Sequence, residues 1–294
     1  MRPPPARPRA LIELAERLVS KEFDPGLLTG SDVDLFRLAR ARGIHTVEFR
    51  PLLADGCLIV DERGFSVQIN DPQNSLVSVG FPDETRRLTV KQRFTFAHEI
   101  AHTLPYDVTH RPPRPKEPII RTITEAGKRE SDQSLESFCQ LVAGLILVPK
   151  GAPRRPELLG RLGSVDSLDM ALKLASTLRV SPEVMIHRVS SSSLDEGLAT
   201  DYFALVMVRK VGGEDLIVAS IYSPTLKGFA DRPRLYSRVA TWVRRTKLLR
   251  DWGVLKHAEG EWRKRTSEGT LRVIKKSYRG HKDAYFLELK YVFA

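Results

Sequence analysis

The chain has 294 residues, 41% of them hydrophobic and 28% charged, with a formal net charge of +11. That balance is normal for a globular protein with a sizeable core and leaves room for two modest domains. No apolar run approaches the roughly 18 residues of a membrane-spanning helix, and two cysteines, Cys57 and Cys139, make no disulfide framework and suit a reducing compartment.

The N-terminus, MRPPPARPRALIELAERLVSKEF, is basic and proline-rich, then amphipathic. It lacks the apolar core and small-residue cleavage site of a signal peptide, so the chain is expected in the cytoplasm, without a membrane partner. Periodicity predicts a helix over 10–23. A second helix is expected over 31–43, with Ser31 as N-cap and Gly43 as stop. HTVEFR, GCLIVD and FSVQIN, between 45 and 70, read as three short strands. TVKQRFTFAHEIAHTL (89–104) reads as a helix ended by Pro105.

Residues 109–133 are proline-rich and charged and read as a long loop. SLESFCQLVAGLILVP (134–149) is a strongly apolar helix stopped by Pro149. After another loop come two short helices, SLDMALKLASTL and SPEVMIHRV, then a linker over 191–201. Beyond it, YFALVMVRK and DLIVASIYS form a hairpin around VGGE, RLYSRVATWVRRTKLLRDW is helical, and TLRVIKKSYR and AYFLELKYVFA form a second hairpin around GHKD. The expected fold is therefore α+β. It has a first domain over 1–165, a helical, helix-turn-helix-like extension over 166–192, and a small domain on an antiparallel sheet over 200–294.

From Asp201 to Ala294 the chain holds 20 Lys and Arg against 10 Asp and Glu, so this segment carries +10 of the +11. Trp242, Trp252 and Trp262 lie there too. Cations meet phosphates and rings stack on bases, so the pattern suits a nucleic-acid surface. A solvated basic face over an ordinary core is the other reading.

The chemistry concentrates in RFTFAHEIAHTL, residues 93–104. On a helix, positions four apart lie about 40° around the axis and about 6 Å along it, so His98 and His102 face the same way. Two such imidazoles can share one Zn²⁺. Glu99 is turned about 100° from His98 and can reach a water held by the metal. Peptide hydrolysis needs this set: a Lewis acid that brings a water's pKa toward about 7, and a carboxylate to take its proton. Phe94, Ala97, Ile100, Ala101 and Leu104 make the helix a buried one. The third ligand is expected to be Glu136, an acid among Leu135, Phe138, Leu141, Val142 and Leu145 that is costly to bury unless paired or bound. The alternative is an exposed glutamate in the first helical turn, with Ser134 as cap.

RFTFAHEIAHTL followed by ESFCQLVAGLILVP resembles the ImmA/IrrE family of zinc metallopeptidases, whose members run RFTLAHELGH and then E-x-x-A-N-x-F-A-A-x-L-L-M-P. Aligned on Pro149, the family's leading glutamate falls on Glu136. GFSVQIN resembles the family strand that ends in asparagine beside the active-site helix, and LKLASTLRVSPEVMIHRV resembles its usual tail. The resemblance covers roughly residues 10–190. It implies a zincin-like peptidase domain, His98, His102 and Glu136 as zinc ligands and Glu99 as general base. Cys139–Gln140 stands where the family keeps alanine–asparagine. No oxyanion stabiliser is evident, with Tyr106 and His110 as nearby candidates or simply loop residues.

Relatives of this kind cut a helix-turn-helix repressor and so release an operon for stress, DNA damage or phage defence, and some carry a GAF-like sensory domain. The resemblance thus implies a site-specific endopeptidase with such a repressor as substrate. A repressor-cutting enzyme must stay silent until a signal arrives, and DNA damage and phage replication both make single-stranded DNA, so the basic, tryptophan-bearing segment is expected to bind it as activating partner. CapP-type peptidases associated with CBASS defence are the kind of relative the chain resembles. Candidate DNA contacts are Arg244, Arg245, Lys247 and Arg250, with Arg263, Lys264, Arg265, Lys275 and Lys276. The same runs suit the repressor's acidic surface or plain solvation. Cys57, beginning a strand at the cleft, is a candidate inhibitory fourth ligand, because zinc binds sulfur well. Cys139 reads as a core residue. The competing reading is a DNA-binding transcriptional regulator with a non-catalytic metallopeptidase fold, and a general degradative protease is a third.

Overall fold

The computed structural model describes residues 9–28, 33–73, 87–127, 131–149 and 167–182 with 184, 185 and 188, and the strands within 202–222 and 260–293. The chain divides into two units, Met1–Pro153 with Ala175–Ser181 and Arg154–Leu174 with Pro182–Ala294. Both helices and sheets are present, so the class is α+β. No helix among the described residues is long and apolar enough to cross a membrane.

The first unit opens with helix α1 (Arg9–Glu22), whose Leu11, Leu14, Ala15, Leu18 and Val19 are buried at helical spacing. A 3-10 turn (Pro25–Leu28) precedes α2 (Leu35–Ala41). The N-cap of α2 is Asp34 rather than Ser31. Its carboxylate accepts from the Arg37 amide at 3.0 Å, and position 31 lies outside the described residues. An acidic cap this close to the first apolar residue of the helix satisfies an otherwise orphaned amide. Gly43, at φ 75°, ends the helix as expected.

The three expected strands are β1 (Ile44–Arg50), β2 (Gly56–Asp61) and β3 (Gly64–Asn70). Their order is β1-β3-β2, with β1 parallel and β2 antiparallel to β3. Val47, Phe49, Phe65, Val67 and Ile69 alternate into the core, while β2 is an edge strand exposing Ile59 and Val60. Gly64, at φ 143°, closes the β2–β3 turn, and a Cβ there would lie 2.5 Å from the Gly43 carbonyl oxygen, so no other residue fits.

Helix α3 (Val90–His102) carries a capping box. The Thr89 hydroxyl accepts from the Gln92 amide at 3.2 Å, and the Thr89 amide donates to the Gln92 side chain at 3.1 Å. Upstream of that cap, the Leu88 carbonyl accepts from the Arg179 guanidinium at 2.7 Å. Phe96 packs on Phe36 of α2, ring centroids 5.2 Å apart. A two-residue hairpin, β4 (Tyr106–Asp107) with β5 (Arg114–Pro115), follows.

The expected long loop over 109–133 is mostly helical instead: α4 spans Glu117–Gly127, and α5 (Ser131–Leu147) already begins at 131. Pro118 hid α4. Proline near a helix start costs no intrahelical bond, and Ile119, Ile120 and Ile123 then recur on one face. Ser134 is therefore no cap. It is buried inside α5, and Glu136 lies in the second turn. Helix α3 packs on α5, α2, β2 and β3, and α1 on α4 and α5. The site helix is thus clamped on several sides.

Helix α6 (Ser167–Thr177) matches the first of the two expected short helices. The second unit contains a five-stranded antiparallel sheet, β6 (Tyr202–Val211), β7 (Glu214–Tyr222), β8 (Gly260–Thr266), β9 (Gly269–Ser277) and β10 (Ala284–Phe293), in the order β7-β6-β10-β9-β8. Both expected hairpins are there. Strand β8, GEWRKRT, was not foreseen, because a run this charged carries little strand signal. The linker at 191–201 and the helix expected over 234–252 lie outside the described residues.

Candidate metal centre

Helix α3 presents His98 and His102 one turn apart, and α5, packed against it, presents Glu136. The His98 and His102 Nε2 atoms are 3.1 Å apart. The Glu136 carboxylate lies 3.2 Å from His98 Nε2 and 3.3 Å from His102 Nε2. All three ligand atoms fall within 4.8 Å of one another, and no other such group of three His, Cys, Asp or Glu occurs among the described residues. Around a tetrahedral ion with bonds of about 2.0–2.1 Å, neighbouring ligand atoms sit about 3.3 Å apart. The donor set therefore fits a divalent metal ion. Side-chain exposure is 14% for His98 and 18% for His102 but 54% for Glu136, so the position they surround opens on one side.

Electrostatics prepare the donors. Burial pulls the His98 imidazole down, outweighing the Glu136 carboxylate, and burial with the neighbouring His98 holds His102 down to about 4. Both rings are neutral at pH 7, with lone pairs available to a cation. Glu99 is 6% exposed. Burial first, then the Glu136 charge, push its carboxyl up to about 7. A bound dication would act in the opposite sense and favour the carboxylate.

These residues line one cleft of about 510 Å³ between the β2 edge, α3 and α5. Cys57, Tyr106 and Gln140 line it too. Cys57 is not among the converging side chains. Its thiol donates to the Gln68 side chain at 3.7 Å, and burial, then Glu99, push its pKa up. Cys139 is fully buried core, as expected, with its thiol pushed well up by burial. Of the two oxyanion candidates, Tyr106 faces the cleft, its ring edge-on to Phe65 at 5.4 Å. His110 is exposed and turned to Asp107 at 3.2 Å.

Two site-shaping residues escaped the sequence reading. Gly56 opens β2 against α3, where a Cβ would lie 2.6 Å from Thr95 Cγ2 and 3.1 Å from Glu99 Oε1. A glycine inside a strand pattern was the available signal. Arg42, 3% exposed, donates to the Thr103 hydroxyl at 3.1 Å, the Thr103 carbonyl at 2.9 Å and Glu22 at 2.7 Å. It thereby ties the end of the His102 helix to α1 and α2. Asn70 accepts from the Leu52 amide at 3.0 Å and holds the β1–β2 connection.

The nucleic-acid candidates fall in the second unit. Arg244, Arg245, Lys247 and Arg250 lie outside the described residues. Arg263, Lys264 and Arg265 are on β8, and Lys275 and Lys276 on β9. Register sets Arg263, which is exposed, opposite Arg272, and Lys275 opposite Gly260. Two basic runs separate in sequence thus lie on neighbouring strands.

No family model and no curated protein matches the chain. Among solved structures it is similar to a Mycobacterium tuberculosis transcriptional regulator, at 17% identity and a TM-score of 0.47 over 96% of this chain and 87% of that one. A likeness of that degree assigns neither fold nor function.

Proposed function

We propose that the chain is a zinc-dependent endopeptidase of the ImmA/IrrE kind, with a zincin-like catalytic domain and a basic, GAF-like sensory domain. It cuts a helix-turn-helix repressor when single-stranded DNA engages the basic domain. The observation that carries this reading is the convergence of His98, His102 and Glu136 in an open cleft, with Glu99 beside them. His98, His102 and Glu136 would hold the zinc ion, which would supply a Lewis acid for the scissile carbonyl and the attacking water. Glu99 takes the proton from that water, holds it on its carboxylate and hands it to the leaving amine. Tyr106 is the oxyanion candidate that lines the cleft.

The test mixes the purified protein with the helix-turn-helix repressor encoded beside it, with and without short single-stranded DNA, and measures zinc content alongside. One cut that requires both DNA and Glu99 supports the whole reading. A Glu99-dependent cut indifferent to DNA keeps the peptidase and removes the DNA trigger. Full zinc occupancy with no cut, and function intact in Glu99→Gln, favours a DNA-binding regulator with a non-catalytic site.

A further inference from the structure

Next to the metal-facing cleft lies a second cavity of about 460 Å³. Its apolar wall is Tyr106 with Pro112, Pro113 and Pro115, carried by the β4–β5 hairpin. Val60 and Tyr106 line both cavities, so the two are neighbours. The remaining lining is acidic: Asp61 and Glu62, from the β2–β3 turn. The Asp61 carboxylate is already committed. It meets His45 Nε2 at 2.9 Å and the Ser66 hydroxyl at 3.0 Å, and accepts from the Arg63 and Gly64 amides. Glu62 is exposed. The Arg111 guanidinium is turned onto the Val108 and His110 carbonyls, at 2.8 and 3.2 Å.

An apolar wall with carboxylates beside it matches a long side chain that has an aliphatic stem and a cationic head. The Tyr106 ring adds a face for the cation. We propose that this second cavity is a specificity subsite that takes an arginine or lysine side chain of the substrate, with the stem on Tyr106 and the prolines and the head on Glu62. The assignment of a peptide as occupant rests on the peptidase reading. Continuity along β2 gives the distance. Gly56 adjoins Glu99, and Val60 lies four residues on, about 13 Å at about 3.3 Å per residue. A peptide extended beside the β2 edge therefore sets its basic residue about three to five positions from the cut bond.

Two experiments separate this inference from the reading it rests on. In the first, the full-length Glu99→Gln protein is titrated with three blocked peptides, acetyl-Ala-Xaa-Ala-amide with Xaa arginine, leucine or glutamate, and amide shifts are followed by NMR. The arginine peptide is expected to shift Val60, Glu62 and Tyr106, binding about two- to fivefold tighter than leucine, the range of an exposed ion pair. Glu62→Lys should reverse the order, favouring the glutamate peptide. Equal binding of all three, or shifts elsewhere only, overturns the subsite. In the second, the zinc-loaded protein, with short single-stranded DNA present, is given a positional peptide library, and a basic preference three to five residues from the cut should vanish in Glu62→Lys. A preference unmoved by that change also overturns the subsite. Cleavage absent altogether, with the NMR pattern intact, removes the peptidase and leaves a pocket for basic side chains.

Discussion

Replacing Arg42 by methionine keeps the aliphatic volume and removes one buried cation. Four acceptors lose a donor: Glu22, the Thr103 carbonyl, the Thr103 hydroxyl and, at 3.5 Å, the Tyr106 carbonyl. Breaking a buried pair from one side costs about 3–5 kcal/mol. Lys116 still reaches Glu22 at 3.3 Å, and the Thr103 hydroxyl still donates to Ile100, so the lower end, about 3 kcal/mol, is expected. Native-state hydrogen exchange on α3 reads this directly, as amides in the helix core exchanging about a hundredfold faster. Thr103 follows His102, so zinc affinity measured against a chelator should fall as well. The pH dependence has a definite sign. Burial raises the Glu22 carboxyl, but Arg42 and Lys116 outweigh it and hold it below the ordinary 4.5. The stabilisation is therefore complete above that value and is lost as pH falls through the lower folded one. The difference between wild type and Glu22→Gln should be constant near pH 7 and shrink in acid. Unchanged α3 exchange and unchanged zinc affinity in Arg42→Met would refute the claim that this guanidinium anchors the site helix.

Gly56→Val should destabilise by about 1–3 kcal/mol, the cost of an overpacked contact, and displace Glu99; thermal melting and cleavage rate together check this. His102→Ala and Glu136→Ala should each lower zinc stoichiometry in purified protein by mass spectrometry, while Glu99→Gln retains the metal and loses about 10²–10⁴-fold in rate, the usual share of a general base. Fluorescence anisotropy with a short single-stranded oligonucleotide should show affinity falling linearly in log salt, with a shallower slope after Arg263→Ala and Lys275→Ala; a salt-independent affinity would remove the phosphate contacts.

Features set by local order were legible in the chain alone. His98, Glu99 and His102 sit in one helix, whose geometry is a property of spacing, so their common direction was readable without a fold. The three strands and both C-terminal hairpins were equally legible, because alternation and turn residues are local signals. Helix α4 was not, since Pro118 and the prolines before the helix suggested a loop, and the Ser31 and Ser134 caps were misread because several capping residues competed within one turn.

Tertiary structure decided the rest. Glu136 is 34 positions beyond His102, and only the packing of α5 on α3 brings its carboxylate to 3.3 Å from that imidazole. Gly56 matters because β2 runs against Thr95 and Glu99, and Arg42 because α1, α2 and the end of α3 meet around it. Burial, which moves Glu99 toward neutrality, is the sum of many distant neighbours. No local pattern encodes such sums, because desolvation and approach distance exist only once the chain has closed on itself.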